Sequence, residues 1–516
     1  MKISIIDIGS NTIKLVIYEV RKDNSFIGVQ QESAKVKLGE SLAHSDSLDE
    51  QSILKSIDVL LQYRDIIRLE STNKVLCVAT SAVREAKNGK YFVDQVLERT
   101  GFKVRVLNGE EEAYYSYLGA SMKTCIPNGL YFDLGGGSLE LVYTEDFHIK
   151  RAQALPLGAL RLTRTFANDD GSFSKKDCDD MDQRIMDTLP TKKSYGIGID
   201  TLLVGAGGTL RALGRYDQKG SGFPFEKIHN YRLSSNTIDS LHKELSSLKP
   251  SEIASRGTFD STRIETIVAG IHIIHGIMKK FDFEEVIISG YGIREGILAS
   301  FIQNPNTLEN HNIDNLEKQI VSILSYHSHK HDISNFGLDD MTRDMIYHRL
   351  LKDREVEILS YALYTLGKLP ESNKYYSLFY QVLDEDYPHL TYREQMILAL
   401  SIIYSKKMRI GEELFSKYSN LLKPQNLKSI QKIAILLSLA SIIIKTRSQI
   451  RTKLTDNQSM IFTIIPTQKS FPTTLLKHVI EKTSKIFDIP VQYHIPDRIN
   501  RFKASTRTIL SMNSQI

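Results

Sequence analysis

Cysteine is scarce. Only Cys77, Cys125 and Cys178 occur in 516 residues, too few for a disulfide framework and without the close pairing of a cysteine zinc site. Sparse thiols fit a reducing, cytoplasmic setting. Long apolar runs are also missing. The N-terminal run is cut by Asp7 and does not read as a signal peptide. The most apolar stretch, Ile433 to Ile444, is broken by Ser438 and Ser441 and flanked by Lys432 and Lys445. It falls short of the roughly 20 residues a bilayer requires, so it reads as a buried helix and no membrane span is expected. Neither sign of charge prevails: 66 Lys and Arg face 61 Asp and Glu, a net of +5. That balance is too mild to imply nucleic-acid binding. There is no low-complexity tract and no repeat of roughly 20–50 residues. With 41% hydrophobic and 25% charged residues, the composition excludes secreted, fibrous, membrane-spanning and wholly disordered classes.

What is present divides the chain. The first 300 residues hold nearly all the glycine clusters and many short β-branched runs: Ile3–Ile6, Leu15–Ile17, Val75–Val78, Val104–Leu107, Leu130–Phe132, Leu202–Val204 and Val286–Ile288. Each reads as a buried strand. Helix-period stretches such as 49–64 and 111–120 lie between them, which implies an α/β domain with a sheet covered on both faces. From about Asn304 glycine thins out, and 355–366, 394–405 and 427–445 read as helices. The expected organisation is 1–124, 125–304, an all-α part at 305–448 and a small α+β part at 449–516 with a strand, a helix at 473–487 and a strand.

Four glycine turns follow strands. In Asp7-Ile8-Gly9-Ser10-Asn11-Thr12 the turn offers hydroxyl, amide and backbone donors to an anion, and Asp7 can hold a metal or its water. Read alone, it is an ordinary hairpin. Asp133-Leu134-Gly135-Gly136-Gly137-Ser138-Leu139-Glu140 repeats the syntax and hints at a duplicated half-domain. Three glycines bring N–H groups close to a phosphate, and Asp133 and Glu140 suit a hard divalent cation. Gly205-Ala206-Gly207-Gly208-Thr209 opens a helix, where anions are favoured. Ser289-Gly290-Tyr291-Gly292 closes the series. Thr80 and Ser81 either cap a helix or face the ligand. Arg84 can clamp phosphate. The acidic run Glu110-Glu111-Glu112 either suits a helix dipole or supplies a general base.

Seven motifs in order, 7–12, 79–88, 109–113, 133–141, 155–162, 205–209 and 289–296, resemble the exopolyphosphatase/guanosine pentaphosphate phosphohydrolase family of the actin/sugar kinase/heat-shock-70 superfamily. The resemblance implies two ribonuclease-H-like, actin-like domains flanking a cleft, then a helical His-Asp-phosphohydrolase-like domain and a small basic α+β domain. It implies processive, metal-dependent hydrolysis of terminal phosphate from inorganic polyphosphate, with Mg2+ or another divalent cation such as Mn2+, or removal of the γ-phosphate of guanosine pentaphosphate. A homodimer is expected. The same resemblance gives Glu112 as base, with Glu111 as rival, and Arg84 as a phosphate contact. Asp133 and Glu140, with Asp7, hold the metal. Ser10, Asn11, Thr80, Ser81, Gly135, Gly136, Gly137, Ser138, Gly207, Gly208 and Thr209 line the phosphate channel. A regulatory module binding polyphosphate or guanosine tetraphosphate is the remaining alternative.

Leu139 departs from the family's usual Thr. The stretch Ile358–Leu366 lacks a His-Asp pair, so no second metal site is expected there, and His331-Asp332 reads as incidental. Residues 421–516 carry 15 Lys and Arg against 4 Asp and Glu. Such a face either is plain solvated surface or concentrates a polyanion. If it holds the distal polymer, neutralising Lys477, Lys482 and Lys485 together weakens binding of long polyphosphate and spares short chains. A loss independent of chain length, measured by competition binding, refutes that role.

Overall fold

The computed structural model describes residues 1–22, 24–305, 337–368, 374–387, 390–455, 459–467 and 471–496. His331-Asp332 lies outside them. The chain divides near residue 328 into two compact units.

The first unit is built on two sheets. One contains β1 (Lys2–Ile8), β2 (Thr12–Val20), β3 (Phe26–Lys35), β4 (Lys74–Ala79) and β5 (Val104–Val106), in the order β3-β2-β1-β4-β5. The other contains β6 (Gly129–Leu134), β7 (Leu139–Glu145), β8 (His148–Leu155), β9 (Leu202–Ala206), β10 (Arg232–Ser234) and β11 (Glu285–Ile288), in the order β10-β11-β9-β6-β7-β8. In each, a three-stranded antiparallel meander continues into parallel strands. Apart from the extra edge strand β10, the two sheets share one topology, so the repeated Asp-x-Gly turns do mark a duplicated half.

The strands read from apolar runs all lie inside these sheets. Their apolar side chains are buried on both faces: Ile3 and Ile5 pack in one core cluster, Ile6 and Ile8 in another. β7 enters the expectations only as the far side of the second glycine turn, and β3, β8 and β10 are missed. They are short or edge strands, and β3 and β8 show solvent at alternate or successive positions and so lack an apolar run.

Helices Gly109–Thr124 and Ile293–Gln303 pack together between the sheets, sharing a core with β1, β4, β6 and β9. Their backbones nearly touch. A Cβ on Gly119 would sit 1.9 Å from the Gly292 carbonyl oxygen, and one on Gly296 would sit 1.9 Å from the Tyr115 oxygen. Only glycine permits this approach.

In the second unit, the expected helices appear as Asp353–Lys368, Tyr392–Lys406 and Asn426–Lys445. β12 (Gln449–Leu454), β13 (Met460–Ile465) and β14 (Val491–His494) form a three-stranded sheet beside helix Thr473–Phe487. Asn426–Lys445 is longer than its apolar core suggested. It is long and apolar enough by composition to cross a bilayer, yet 56% of its apolar window is buried in this unit.

Because main-chain atoms cannot yield as a flexible side chain can, Gly119→Ala forces the two central helices apart. A loss of about 1–3 kcal/mol is expected, read from the urea midpoint. An unchanged midpoint would show that the crossing relaxes freely.

Candidate active site

Both β-hairpins turn in the same way. Gly9 N–H donates to Thr12 O at 3.1 Å, and Gly135 N–H donates to Ser138 O at 3.0 Å. In register, Asp7 faces Lys14 across β1 and β2, and Asp133 faces Glu140 across β6 and β7. Directly opposed residues present their side chains on one face. The duplicated hairpin therefore carries a lysine in one copy where the other carries a glutamate.

The two turns meet. Ser10 Oγ lies 2.9 Å from Ser81 Oγ, and a Cβ on Gly137 would fall 2.4 Å from the latter. The triple-glycine turn is gripped from behind by the start of helix Ala159–Phe166. Ala159 N–H donates to Gly135 O at 3.0 Å, Leu160 N–H to Gly136 O at 2.9 Å, and Arg161 Nε to Gly137 O at 2.8 Å. Since peptide units are planar and trans, the N–H groups of Gly136, Gly137 and Ser138 point opposite to these occupied carbonyls. The segment 155–162 thus acts as a clamp on the turn.

A cleft of about 900 Å³, counting its open part, runs past both turns. Asp7, Ser10, Asn11, Thr80, Ser81, Glu112, Asp133, Gly135, Gly136, Ser138, Glu140, Gly207 and Gly208 line it. Thr80 flanks helix Ser81–Glu85 without a side-chain capping bond, so its hydroxyl is not spent there. Three expected residues sit elsewhere. Gly137 faces a smaller adjoining cavity with Arg161 and Arg164. Thr209 is buried behind the cleft, against Gly270. Arg84 does not line the cleft. Its guanidinium donates to Glu112 Oε2 at 2.7 Å and to Leu107 O at 2.9 Å.

The two rival glutamates separate cleanly. Glu111 closes a capping box: its carboxylate accepts from Asn108 N–H at 3.1 Å, and Asn108 Oδ1 accepts from Glu111 N–H at 2.8 Å. It also pairs with Arg105. Glu112, one residue on, turns to the cleft.

Four cations line the same cleft and were not anticipated as site residues: Lys14, Arg211, Arg263 and Arg294. They come from β2, from the first turn after Gly207-Gly208, from helix 261–264 and from the glycine crossing. Arg294 leaves its neighbour Glu295 to Tyr18 and to Gly292 N–H at 2.8 Å. One signal was available: Lys14 is a charged residue inside a strand whose neighbours are apolar.

Crowding shifts these groups. Burial, then Asp7 and Asp133, push Glu112 up to about 7 against the opposing pull of Arg84. Glu140 is held well above the carboxylate range by burial, Glu112 and Asp133. Asp133 rises through burial, although Arg211 and Lys14 oppose it. Lys14 falls to about 7 through burial, Arg294 and Arg211. Lys14, Arg211 and Asp133 keep some surface open to the cleft, but protein surrounds them on nearly every other side. Glu140 Oε1 is buried with no hydrogen-bond partner. An orphaned carboxylate oxygen beside Asp133 fits a hard divalent cation, which takes oxygen ligands.

The Glu112 shift predicts how stability responds to pH. Its folded pKa lies above its unfolded one, so the folded state holds the extra proton between about 4.5 and 7. Its contribution is present at low pH and lost as pH rises through that window. Glu112→Gln should therefore stabilise the metal-free protein at pH 8 by roughly 1–3 kcal/mol and leave it little changed at pH 4. An equal effect at both, by denaturant titration, contradicts the shift.

The profile described as the Ppx/GppA phosphatase family matches residues 16–304. The chain is 30% identical over 312 residues to the bifunctional 3-dehydroquinate synthase/phosphatase of Fusobacterium nucleatum, across 58% of this chain and 46% of that protein. It is 26% identical over 303 residues to exopolyphosphatase 1 of Mycobacterium tuberculosis, across 58% of this chain and 87% of that one. The match thus spans under half the length of the first relative. The crystal structure of an exopolyphosphatase from Cytophaga hutchinsonii superposes with a TM-score of 0.55 at 24% identity, covering 59% of this chain and 98% of that one, which shows a shared fold. With more than half of its length matched by the profile, the chain belongs to the Ppx/GppA phosphatase family.

Proposed function

We propose that this cleft hydrolyses the terminal phosphoanhydride of inorganic polyphosphate, with Glu112 as general base. The observation that carries the reading is the pairing, in one cleft, of four basic side chains with a buried glutamate that Arg84 holds at 2.7 Å. The cations and the glycine-turn N–H groups offer a polyanion donors on several sides. A linear phosphate chain has no side groups to recognise, so such a lining suits it.

Glu112 in its ionised form accepts the proton of a water held against the terminal phosphorus. The water oxygen bonds to phosphorus, the bridging P–O bond breaks, and the shortened chain leaves with the electron pair. Arg84 keeps the Glu112 carboxylate oriented. Asp133, Glu140 and Asp7 would hold Mg2+ or Mn2+, which when bound offsets negative charge on the phosphoryl oxygens. Lys14, Arg211, Arg263 and Arg294 bind the penultimate phosphates. Repeated cleavage without release is proposed to draw on the basic 421–516 region.

The test is phosphate release with magnesium from long-chain polyphosphate and from guanosine pentaphosphate in parallel. Glu112→Gln should lower kcat on polyphosphate by about 10²–10⁴-fold while retaining substrate binding. The wild-type kcat/KM should rise with pH as Glu112 ionises, at a pH above the usual carboxylate range because burial, Asp7 and Asp133 favour its protonated form. Release from the nucleotide alone would reassign the substrate. Binding without turnover on either would make this a regulatory module.

A further inference from the structure

Outside the cleft, three helices of the second sheet's outer layer each bring a pair of metal-ligating residue types to one place. Cys178 and Asp182 lie four apart on Lys175–Thr188. Asp239 and His242 lie three apart on Ser235–Ser246, and His272 and His275 lie three apart on Ile267–Phe281. Those spacings put each pair on one helix face. One ligand atom from each of Asp182, His242 and His275 falls within 4.8 Å of the others.

The surrounding bonds prepare these groups. His272 Nδ1 lies 2.6 Å from Asp182 Oδ1 and so carries its hydrogen toward that carboxylate. His242 Nε2 lies 3.0 Å from the same nitrogen. Two N–H groups cannot meet there, so His242 Nε2 presents its lone pair. His275 Nε2 lies 3.0 Å from Asp239 Oδ1; a hydrogen held there leaves Nδ1 basic. Carboxylates that fix histidine tautomers in this way are the usual outer layer of a metal centre. His275 is buried, whereas the Asp182 side chain is 38% exposed, so an ion has a path in.

We propose that Asp182, His242 and His275 form a second metal site, for a borderline divalent transition ion of the zinc class, with His272 and Asp239 as positioning residues. Two imidazoles and a carboxylate suit that class better than Mg2+. The His242 and His275 rings stack with centroids 4.1 Å apart, so binding would draw the ligand atoms inward, toward the usual zinc–nitrogen distance of about 2.0–2.1 Å. A bound ion would tie the three helices together over the second sheet.

The experiment uses the full chain carrying Asp133→Asn and Glu140→Gln, so that metal at the catalytic cleft does not contribute, stripped with a chelator. Zn2+ is titrated by calorimetry and Co2+ by visible absorption. One equivalent of Zn2+, a rise in thermal midpoint, and a Co2+ spectrum with nitrogen ligands are expected. Adding His242→Gln and His275→Gln should weaken Zn2+ by at least about tenfold. Should that variant fold poorly, Asp182→Asn, at a partly exposed position, should keep the metal-free midpoint and lose the zinc-induced rise. No stoichiometric binding in the starting protein, or binding undiminished by these substitutions, overturns the proposal and leaves the cluster a purely structural histidine–carboxylate network.

Discussion

Four carboxyl groups and four basic side chains crowd one cleft, and the energetic difficulty of keeping them there shapes the rest of the first unit. A charge removed from water is costly unless it is paired or liganded. Glu112, Glu140 and Asp133 are all pushed toward the protonated form, and Lys14 toward the neutral one. No flexible loop would hold such a set against its own repulsion. These groups instead stand at strand ends and on first helical turns, each anchored in a core cluster. The proposed polyanion and divalent cation would offset this crowding, since each supplies the charge that one half of the cleft lacks.

Duplication supplied the frame, and its breakdown supplied the chemistry. The two hairpins share turn, hydrogen bond and register. Where one copy places Glu140 opposite Asp133, the other places Lys14 opposite Asp7. One half of the cleft is thus suited to holding a cation and the other to attracting phosphate. The symmetric backbone is what brings these unlike residues face to face.

The architecture of the first unit and most of the cleft were legible in the sequence because they rest on local signals. Buried strands announce themselves as β-branched runs, and the tight turns of the cleft announce themselves as glycines. The sequence reading left Glu111 and Glu112 as rivals, although Asn108 followed three residues later by Glu111 is a capping-box pattern that commits Glu111 to the helix end. The cations were harder to find. Arg211, Arg263 and Arg294 come from three separated segments that only the tertiary fold unites, and Thr209 and Gly137 carry the right residue types on the wrong side of their turns. The histidines of the outer helices were silent for the same reason, since a three-residue spacing gains meaning only when three helices meet.

The glycine crossing between Gly109–Thr124 and Ile293–Gln303 acts as a spacer of fixed length. One helix carries Glu112 and the other carries Arg294. Their separation is set by the radii of main-chain atoms in contact at Gly119 and Gly296, a length that exchange of surrounding side chains does not alter. Repacking the side chains around the crossing therefore leaves the gauge between Glu112 and Arg294 unchanged.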